Sequence, residues 1–258
     1  MSDPREYQTE AIVIKKTKLG EADSILTFFT PRLGKIQGFA RSLRKPKSRL
    51  AGHLELLTHS QVSFARGRNL DTITGAQTIN AFLTLKNDLW LTSCGLYVAE
   101  LVHQFTAEHQ ENFAFFELIL QTLDHLGRET DKELVLRSFE LHLLESVGYR
   151  PQLRECIVCH RVLEAVTNYF SPSAGGTVCP DCRSGQSFCC ALSLNAQKVL
   201  RLLQGSDLSN LGQLKINTEL HREMENVIGG YIKYLLERDI KSAAWLYTLR
   251  AQKSTLQR

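Results

Sequence analysis

Four cysteines in two close pairs constrain this chain more than any other feature of its sequence. Cys156 and Cys159 are separated by two residues, Cys179 and Cys182 repeat that spacing, and nineteen residues lie between the pairs. Each pair can hold one side of a metal ion from a tight turn, and the intervening segment is long enough to return the second pair to the same ion. Four thiolates that close a tetrahedron are typical of structural zinc and leave no open position for catalysis. The spacing therefore predicts one structural Zn²⁺ in a small module within a larger chain.

The composition is that of an ordinary globular protein with a nearly balanced charge. The chain has 258 residues, of which 43% are hydrophobic, and a formal net charge of +4. Its apolar runs all fall short of the roughly 20 residues that a membrane-spanning helix requires. The segment Met1–Glu10 is polar and lacks the apolar region of a signal peptide. We therefore expect a cytoplasmic protein that does not contact a membrane, in which reduced thiols favour zinc over disulfides.

The first 80 residues read as short strands separated by turns. The segments with alternating, β-branched or aromatic residues are Glu10–Lys16, Ser24–Thr30, Lys35–Ala40, Leu54–Phe64 and Asp71–Asn80. A turn that contains Pro31 and Gly34 joins the second strand to the third, and Arg66–Asn69 joins the last two. Five short strands followed by a helical region predict a small barrel or a sandwich.

From Ala81 onwards the apolar residues recur at helical spacing. Beyond this first helical run, helices are predicted at Asn112–Leu126, Asp131–Val147, Ser193–Leu203, Leu220–Leu236 and Ile240–Leu249. The two cysteine pairs fall between these helices, so the helical domain is expected to be discontinuous. The sequence thus predicts an α+β protein in three parts. These are a barrel at residues 1–80, a helical domain at 81–150 and 191–258, and an inserted four-cysteine zinc module at 151–190.

The predicted barrel contains a long stretch of sequence in which all charged residues are positive. Between Asp23 and Glu55 the sequence carries seven Lys or Arg residues and no acidic residue. Its densest part, Arg41–Arg49, lies between two predicted strands and should form an exposed loop. A solvated loop would account for this cluster, but a field of one sign attracts phosphates, and the OB-fold is a five-stranded barrel that binds oligonucleotides. We therefore predict a nucleic-acid surface on the barrel.

The residues assigned to this surface are mostly cations. They are Lys15, Lys16, Arg32, Lys35, Phe39, Arg41, Arg44, Lys45, Lys47, Arg49, Arg66 and Arg68. Aromatic residues at strand spacing usually belong to a core, but Phe39 lies just before Arg41 and is the best candidate for stacking on a base.

Catalytic arrangements are hard to find in this sequence. His53 and Glu55 form the H-x-E of zinc deaminases, but the cysteine pairs lie over 100 residues downstream, and Val178 rather than Pro precedes Cys179. The sequence has no phosphate-binding G-x-x-x-x-G-K-[ST] motif and no tight group of carboxylates for a two-metal nuclease. We therefore expect a binding protein rather than an enzyme, and we assign no catalytic residue.

A series of short motifs runs in a fixed order along nearly the whole chain. They are Gly20–Ser24, Thr30–Lys35, Arg44–Leu50, Phe139–Leu144, Gly148–Pro151, Phe170–Pro172, Gly175–Gly176 and Lys241–Leu246. The first cysteine pair follows Pro151, and the second follows Gly176. Because these motifs occur in the family's order and cover nearly the whole chain, the sequence resembles the RecO family of bacterial DNA recombination mediators.

The resemblance implies an N-terminal OB-fold, a helical domain and a zinc-ribbon-like module. It also implies binding of single- and double-stranded DNA and annealing of complementary strands without ATP. The implied partners are RecR, the C-terminal tail of single-strand DNA-binding protein and, indirectly, RecA, whose loading the family assists. The implied location is the cytoplasm, in association with the nucleoid. Some members of the family lack the cysteines, so the zinc would serve the structure rather than the activity.

A groove for an acidic, apolar peptide tail would be apolar and rimmed by cations. Arg128, Lys132 and Arg137 in the predicted helical domain are candidate rim residues, although a solvated helix face would also account for them.

Two other functions are compatible with the sequence. One is an RNA- or ribosome-associated zinc-ribbon protein, which a preference for RNA over DNA would favour. The other is an enzyme that acts on nucleic acid, which metal-dependent strand cleavage would favour.

Overall fold

The computed structural model describes residues 5–129 and 131–256. The chain forms two compact units, one made of residues 1–127 with 241–258 and the other of residues 128–240. The predicted three-part division into residues 1–80, 81–150 with 191–258, and 151–190 stays a prediction. Its outer ends at residues 1–4 and 257–258, and Thr130 within it, lie outside the described residues.

Five strands of the first unit close into a barrel. They are β1 (Glu6–Leu19), β2 (Asp23–Thr30), β3 (Gly34–Ala40), β4 (His59–Ala65) and β5 (Asp71–Asn80). Around the barrel the order is β1-β2-β3-β5-β4, and β4 pairs with β1 to close it. The pairs are antiparallel except β3 with β5, which is parallel. This is the strand order of the OB-fold, so the predicted fold class is confirmed, and the barrel rather than the sandwich is correct.

The alternation of side chains along these strands places one set inside the barrel. Leu26 and Phe28 of β2, Ile36 of β3 and Phe64 of β4 share one buried core. The rings of Phe28 and Phe64 meet edge to face, with their centroids 5.6 Å apart. Burying a side chain of this size contributes about 1.5–3 kcal/mol. Because successive residues of a strand face opposite sides, Ile25 and Phe29 of β2 point out of the barrel, where Ile25 is half-buried and Phe29 is buried against the ring of Phe115.

The fourth strand begins later than the sequence pattern predicts. The predicted start at Leu54 is wrong, because β4 begins at His59 and a 3-10 turn at Ala51–His53 precedes it. Leu54 and Leu57 are both buried although they lie in a loop, and Leu57 has a φ of 62°. The Leu57 N–H donates to the carbonyl of Val13 at 2.9 Å, which fixes the loop against β1. Apolar alternation at this point reflects two buried loop residues rather than a strand.

Both units also contain helices. They are α1 (Leu83–Lys86), α2 (Leu89–Phe105), α3 (Phe113–Arg128), α4 (Lys132–Ser146), α5 (Leu194–Gly205), α6 (Thr218–Leu236) and α7 (Lys241–Leu256). The predicted helical segments are therefore confirmed with changes of one or two residues at their ends, except that α7 ends at Leu256 rather than at the predicted Leu249. Among the described residues, no helix has both the length and the apolar character needed to cross a membrane.

Glu100 of α2 caps the start of α7 within the first unit. Its carboxylate accepts the backbone N–H groups of Lys241 at 3.2 Å and of Ser242 at 2.8 Å, and the Ser242 hydroxyl at 2.5 Å. A carboxylate at a helix N-terminus satisfies amide groups that have no partner within the helix and complements the helix dipole. This contact fixes the start of α7 against α2.

The second unit combines α4, α5 and α6 with a small sheet. Its strands are β6 (Asn168–Ser171), β7 (Gly176–Val178) and β8 (Cys190–Leu192), paired antiparallel in the order β7-β6-β8. Phe170 of β6 is buried and packs edge to face on Tyr231 of α6, with 5.5 Å between ring centroids. The sheet therefore carries the cysteine segments on a framework that α6 supports.

Gly34 is the tightest backbone position at the start of β3. Its φ is +60°, and a Cβ placed there would lie 2.1 Å from the carbonyl oxygen of Gln110. Gly20, in the turn between β1 and β2, also has a positive φ of +53°, but a Cβ there would meet no atom within 4 Å. A side chain at Gly20 would therefore meet backbone strain alone, whereas a side chain at Gly34 would meet both strain and a steric clash.

We expect Gly34→Ala to lower the free energy of unfolding by about 3 kcal/mol or more, because left-handed strain adds to displacement of the Gln110 backbone. Gly20→Ala is the matched control and should lose about 1–2 kcal/mol from strain alone. Denaturant unfolding followed by circular dichroism measures both. Equal losses would contradict the close approach of Gln110.

Candidate metal centre and nucleic-acid interface

The first cysteine pair lies on a short hairpin. The Cys156 N–H donates to the carbonyl of Arg161 at 2.9 Å, and the His160 N–H donates to the carbonyl of Cys156 at 2.9 Å. Glu155 and Val162 form an antiparallel bridge at its base. His160 has a φ of 59°, which closes the turn directly after Cys159. These bonds hold the backbone so that both thiols face the same side.

The second pair lies at the start of a 3-10 turn, Pro180–Gly185, that follows β7. The Cys182 N–H donates to the carbonyl of Cys179 at 3.1 Å. The Cys179 N–H in turn points at the Cys156 sulfur, 3.4 Å away. The strand and turn therefore bring the second pair against the first.

The four thiols form one compact cluster. All four Sγ atoms of Cys156, Cys159, Cys179 and Cys182 lie within 4.8 Å of one another, and Cys159 Sγ is 3.9 Å from Cys179 Sγ. A tetrahedron with the usual Zn–S distance has edges of about 3.8 Å. The predicted cysteine cluster is therefore confirmed, and its size and its four soft donors fit a tetrahedral metal ion.

The acidities of the cluster differ from one cysteine to the next. Hydrogen bonds from the backbone and side chain of Arg161 lower the pKa of Cys159 to about 6. A hydrogen bond to Cys179 and burial raise the pKa of Cys182 to about 12. Thiolates this close repel one another, so without a cation the four groups do not ionise together. A divalent ion would remove this conflict, because coordination deprotonates a thiol outright.

Helix α5 positions the segment that leads into the first pair. The side-chain amides of Gln197 and Gln204 donate to the carbonyls of Leu153 at 2.8 Å and Pro151 at 2.9 Å. The Arg201 Nε also donates to the Leu153 carbonyl, at 2.7 Å. These bonds satisfy carbonyls next to the hairpin and fix its direction.

The basic loop, residues 41–49, is folded onto the end of the barrel. Leu43 is buried in the barrel core, which anchors the loop at its centre. The Ser42 N–H donates to Asp23 Oδ1 at 2.6 Å, and the Arg44 N–H donates to the carbonyl of Ala22 at 2.9 Å. The Arg44 guanidinium also donates to the carbonyl of Gly20. The loop is therefore held against the turn between β1 and β2.

Most of the cations predicted for the surface are exposed. The exposed ones are Lys15, Arg32, Arg41, Lys45, Lys47, Arg49, Arg66 and Arg68, and Lys16, Arg44 and Phe39 are half-buried. Phe39 lies at the end of β3 beside the basic loop, whereas Lys15 Nζ lies 3.0 Å from His103 Nε2 of α2 and Arg32 lies in the turn before β3. That turn is a strand length, about 20 Å, from the basic loop.

A row of four side chains crosses the outer face of the barrel. Thr17 pairs with Ile25, Ile25 with Phe39, and Phe39 with Thr72. Directly opposite residues share a face, so these side chains lie side by side on β1, β2, β3 and β5. All four are exposed or half-buried. Lys15 lies on the same face two residues before Thr17, opposite Thr27.

A second basic loop, residues 66–70, joins β4 to β5 and borders this face. The Arg66 guanidinium lies 4.7 Å from the centroid of the Tyr7 ring. The Tyr7 hydroxyl donates to Asp71 Oδ2 at 2.7 Å, and Asp71 Oδ1 accepts the Gly67 N–H at 3.0 Å. Burial and the bond to Asp71 raise the pKa of Tyr7. These contacts therefore hold Arg66 beside the first residues of β5.

Lys35 differs from the other predicted cations because it is only 8% exposed. Its ammonium donates to the carbonyls of His103, at 2.8 Å, and Thr106 at the end of α2. Burial lowers the pKa of Lys35. A cation at the end of a helix complements the dipole, so this lysine fastens α2 to β3 and does not face solvent.

The three predicted rim residues occupy different environments. Arg128 is exposed at the end of α3, and Lys132, half-buried, donates to the carbonyl of Glu129. Arg137 is 4% exposed and pairs with the fully buried Glu140, with 2.5 Å between Nη2 and Oε1. A buried arginine that neutralises a buried glutamate cannot line the rim of an open groove.

Sequence reasoning missed the residues that brace these sites. Thr17, Ile25 and Thr72 join Phe39 only through strand register, and Tyr7 reaches Asp71 across 64 residues of chain. Arg161 also went unnoticed, although it lies two residues beyond Cys159. Its Nη2 is 3.1 Å from Asp181 Oδ2.

Fold and site together define an OB-fold protein that carries a four-cysteine candidate metal centre. The chain matches the family models "Recombination protein O N terminal" over residues 1–82 and "Recombination protein O C terminal" over residues 86–244. It therefore belongs to the RecO family of DNA repair proteins.

Several curated relatives named DNA repair protein RecO match along nearly their full length. The chain is 50% identical to one from Dehalococcoides mccartyi over 249 residues, which cover 96% of this chain and 98% of the relative. It is 43% identical to one from Roseiflexus sp., over 95% of this chain and 87% of the relative. It is 34% identical to one from Symbiobacterium thermophilum, over 95% and 98%.

We expect Cys156→Ser, or removal of metal with a chelator, to unfold the cysteine hairpin locally and to lower the melting temperature, because metal binding supplies folding free energy there. Cys189→Ser, outside the cluster, is the matched control and should leave both melting and metal content unchanged. Thermal melts and metal analysis measure the two effects. A melting curve that neither treatment changes would contradict a structural metal.

Proposed function

We propose that this protein is a DNA recombination mediator that binds single- and double-stranded DNA and anneals complementary strands without ATP. The observation that carries the proposal is the outer row around Phe39. It lies between the basic loop of residues 41–49 and the second basic loop of residues 66–70. A ring that bases can stack on, flanked by cations that contact phosphates, is a common arrangement for single-strand binding in OB-folds. Membership of the RecO family supports the same proposal.

The proposed contacts act mainly through charge. Arg41, Lys45, Lys47 and Arg49 are the proposed phosphate ligands of the basic loop, with Lys15, Arg66 and Arg68 on either side of the face. Arg44 contributes charge but also fastens the loop to Gly20. Four to seven such contacts predict that log K falls against log salt with a slope of roughly −3 to −5 on single strands. We leave the buried Lys35 and the distant Arg32 out of this surface.

Annealing follows from charge screening and from an exposed base edge. Two DNA strands repel each other, and a cationic surface lowers that repulsion when it displaces counterions. Phosphate and stacking contacts leave the hydrogen-bonding edges of the bases accessible to a second strand. Such contacts carry no sequence information, so the activity should be independent of sequence.

The remaining roles are proposed on the basis of family membership. We propose RecR and the C-terminal tail of single-strand DNA-binding protein as partners, assisted loading of RecA as the outcome, and the nucleoid as the setting. Arg128 and Lys132 stay proposed rim residues for the acidic tail. The protein is proposed to act by binding rather than by catalysis.

We propose Zn²⁺ as the ion held by Cys156, Cys159, Cys179 and Cys182. When bound, it would cross-link the hairpin to the 3-10 turn and supply no reactive site, because all four positions are filled. The hairpin hydrogen bonds and α5 hold the donors ready for it.

The test of the main proposal is annealing of two complementary oligonucleotides coated with single-strand DNA-binding protein, followed by fluorescence quenching without ATP. Acceleration that fades with salt supports a mediator. No acceleration by a folded protein with its metal bound would overturn it. Faster annealing of RNA than of DNA would indicate an RNA-associated protein, and strand cleavage with added Mg²⁺ would indicate a nuclease.

We expect Lys45→Gln with Lys47→Gln to weaken single-strand binding about five- to tenfold and to reduce the salt slope by about 1.4, because two phosphate contacts are lost. Lys198→Gln with Lys215→Gln removes the same charge from exposed positions of the second unit and is the control. Fluorescence anisotropy over a salt series measures both. Equal effects of the two pairs would mean that net charge alone matters.

We expect Phe39→Leu to cost about 1–3 kcal/mol of single-strand affinity, because an aromatic side chain stacks on bases and an aliphatic one does not. The salt slope should stay unchanged, since no charge is altered. Phe113→Leu, at a 58% exposed ring on α3, is the control. Anisotropy titrations with mixed-sequence oligonucleotides measure the effect, and unchanged affinity would remove Phe39 from the surface.

A further inference from the structure

Arg161 is a cationic residue beside the cysteine cluster, and its side chain bridges the two cysteine segments. Its guanidinium hydrogen-bonds the Cys159 sulfur. Its Nη2 donates to Asp181 Oδ2 at 3.1 Å. Its backbone carbonyl accepts the Cys156 N–H at 2.9 Å. One residue therefore touches a ligand sulfur, the backbone of a second ligand, and the opposite half of the site.

Asp181, the ion-pair partner of Arg161, belongs to the second cysteine segment. Asp181 lies between Cys179 and Cys182 in the 3-10 turn, whereas Arg161 lies at the end of the first hairpin. The ion pair therefore spans the two cysteine segments outside the thiol cluster. The hairpin and the turn approach one another at the sulfurs, and Arg161 with Asp181 joins them a second time.

A divalent ion bound by four thiolates forms a negatively charged centre, which a nearby cation stabilises. Four thiolates and one divalent cation leave a net charge of −2, and the sulfurs keep lone pairs that accept hydrogen bonds. The Cys179 N–H points at the Cys156 sulfur, but a backbone amide carries only a partial charge. Arg161 supplies a full positive charge to the Cys159 sulfur, and Asp181 holds it in place.

We infer that Arg161 is a positioning residue of the metal centre, which keeps the Cys159 thiolate bound to the ion and slows its exchange and its reaction with thiol reagents. The inference rests on the proposal that the four thiolates hold a metal ion. Groups around a metal site orient its ligands and tune their basicity, and their loss typically weakens metal binding 10- to 100-fold.

Solvent limits the size of the effect at this site. The side chains of Arg161 and Asp181 are 68% and 76% exposed. Exposed ion pairs are screened and hold their geometry weakly. We therefore expect about a fivefold change in metal release, at or below the lower end of the usual range.

The experiment uses the full chain loaded with Zn²⁺ and compares wild type with Arg161→Gln, Arg161→Lys and Asp181→Asn. Transfer of Zn²⁺ to a coloured chelator gives the release rate, and a maleimide reaction followed by peptide mapping identifies the first thiol exposed. Arg154→Gln is the matched control. It removes an exposed arginine from the same hairpin, and the described residues provide it with no thiol or ion-pair contact.

Arg161→Gln should release Zn²⁺ about five times faster than wild type, with Cys159 labelled first, and Arg161→Lys should restore part of the difference, because it keeps the charge but not the fork of donors. Asp181→Asn should fall between, and Arg154→Gln should match wild type. Substitution by Co²⁺ adds a readout of ligand geometry, since the thiolate-to-cobalt absorption should shift in Arg161→Gln and stay unchanged in Arg154→Gln.

The outcomes separate this inference from the proposed metal centre. Equal release rates and equal labelling in wild type and Arg161→Gln, with Zn²⁺ present in both, would overturn the role of Arg161 and leave the metal centre standing. A wild-type protein that binds neither Zn²⁺ nor Co²⁺ would overturn both. Equal acceleration in Arg154→Gln would also overturn the inference, because it would trace the effect to hairpin charge in general.

Discussion

The first unit depends on a single long strand that belongs to two pairings. β1 pairs with β4 through its first half, from Glu6 to Ile12, and with β2 through its second half, from Ile12 to Leu19. A register shift between Val13 and Lys15 lets the strand bend from one partner to the other. This bend closes the sheet and removes its edges, so that every strand has two neighbours. The inner core, the outer row and both basic loops take their positions from this closure.

Closure of the barrel also buries some of its cations and leaves others exposed to solvent. Lys35 and Lys47 belong to the same run of positive charge, yet Lys35 is buried against carbonyls of α2 and Lys47 faces solvent. The difference comes from strand β3, which begins beside the end of α2 and ends at the basic loop. The positive field over the outer face is therefore produced by fewer residues than the run of Lys and Arg in the sequence contains. The loop that carries most of them is anchored by Leu43, so a bound strand would need to order little of its backbone.

The cysteine centre shows which parts of a site local sequence can predict. The C-x2-C spacing predicts a turn that presents two thiols, and two such turns predict one metal ion, because only neighbouring residues are involved. Arg161 and Asp181 lie within two residues of a cysteine, but nothing in their own positions indicates that they meet. Their contact arises when β7 brings the second turn against the first hairpin. The partner of a surface charge is decided by the fold, even when the charge itself is plain in the sequence.

Local sequence patterns predicted the five barrel strands, the main helices, the four-cysteine cluster and the basic loop, because each follows from spacing or composition over a few residues, but they did not predict the sheet of β6, β7 and β8. The predicted start of β4 at Leu54 was wrong because a buried loop and a strand share the same apolar alternation over five residues. Tertiary structure alone decided that Phe39 lies in an outer row with Thr17, Ile25 and Thr72, that Lys35 fastens a helix, and that Arg137 is buried beside Glu140. These facts depend on strand register and on burial, which join residues far apart in the chain and are set by the packing of the whole unit.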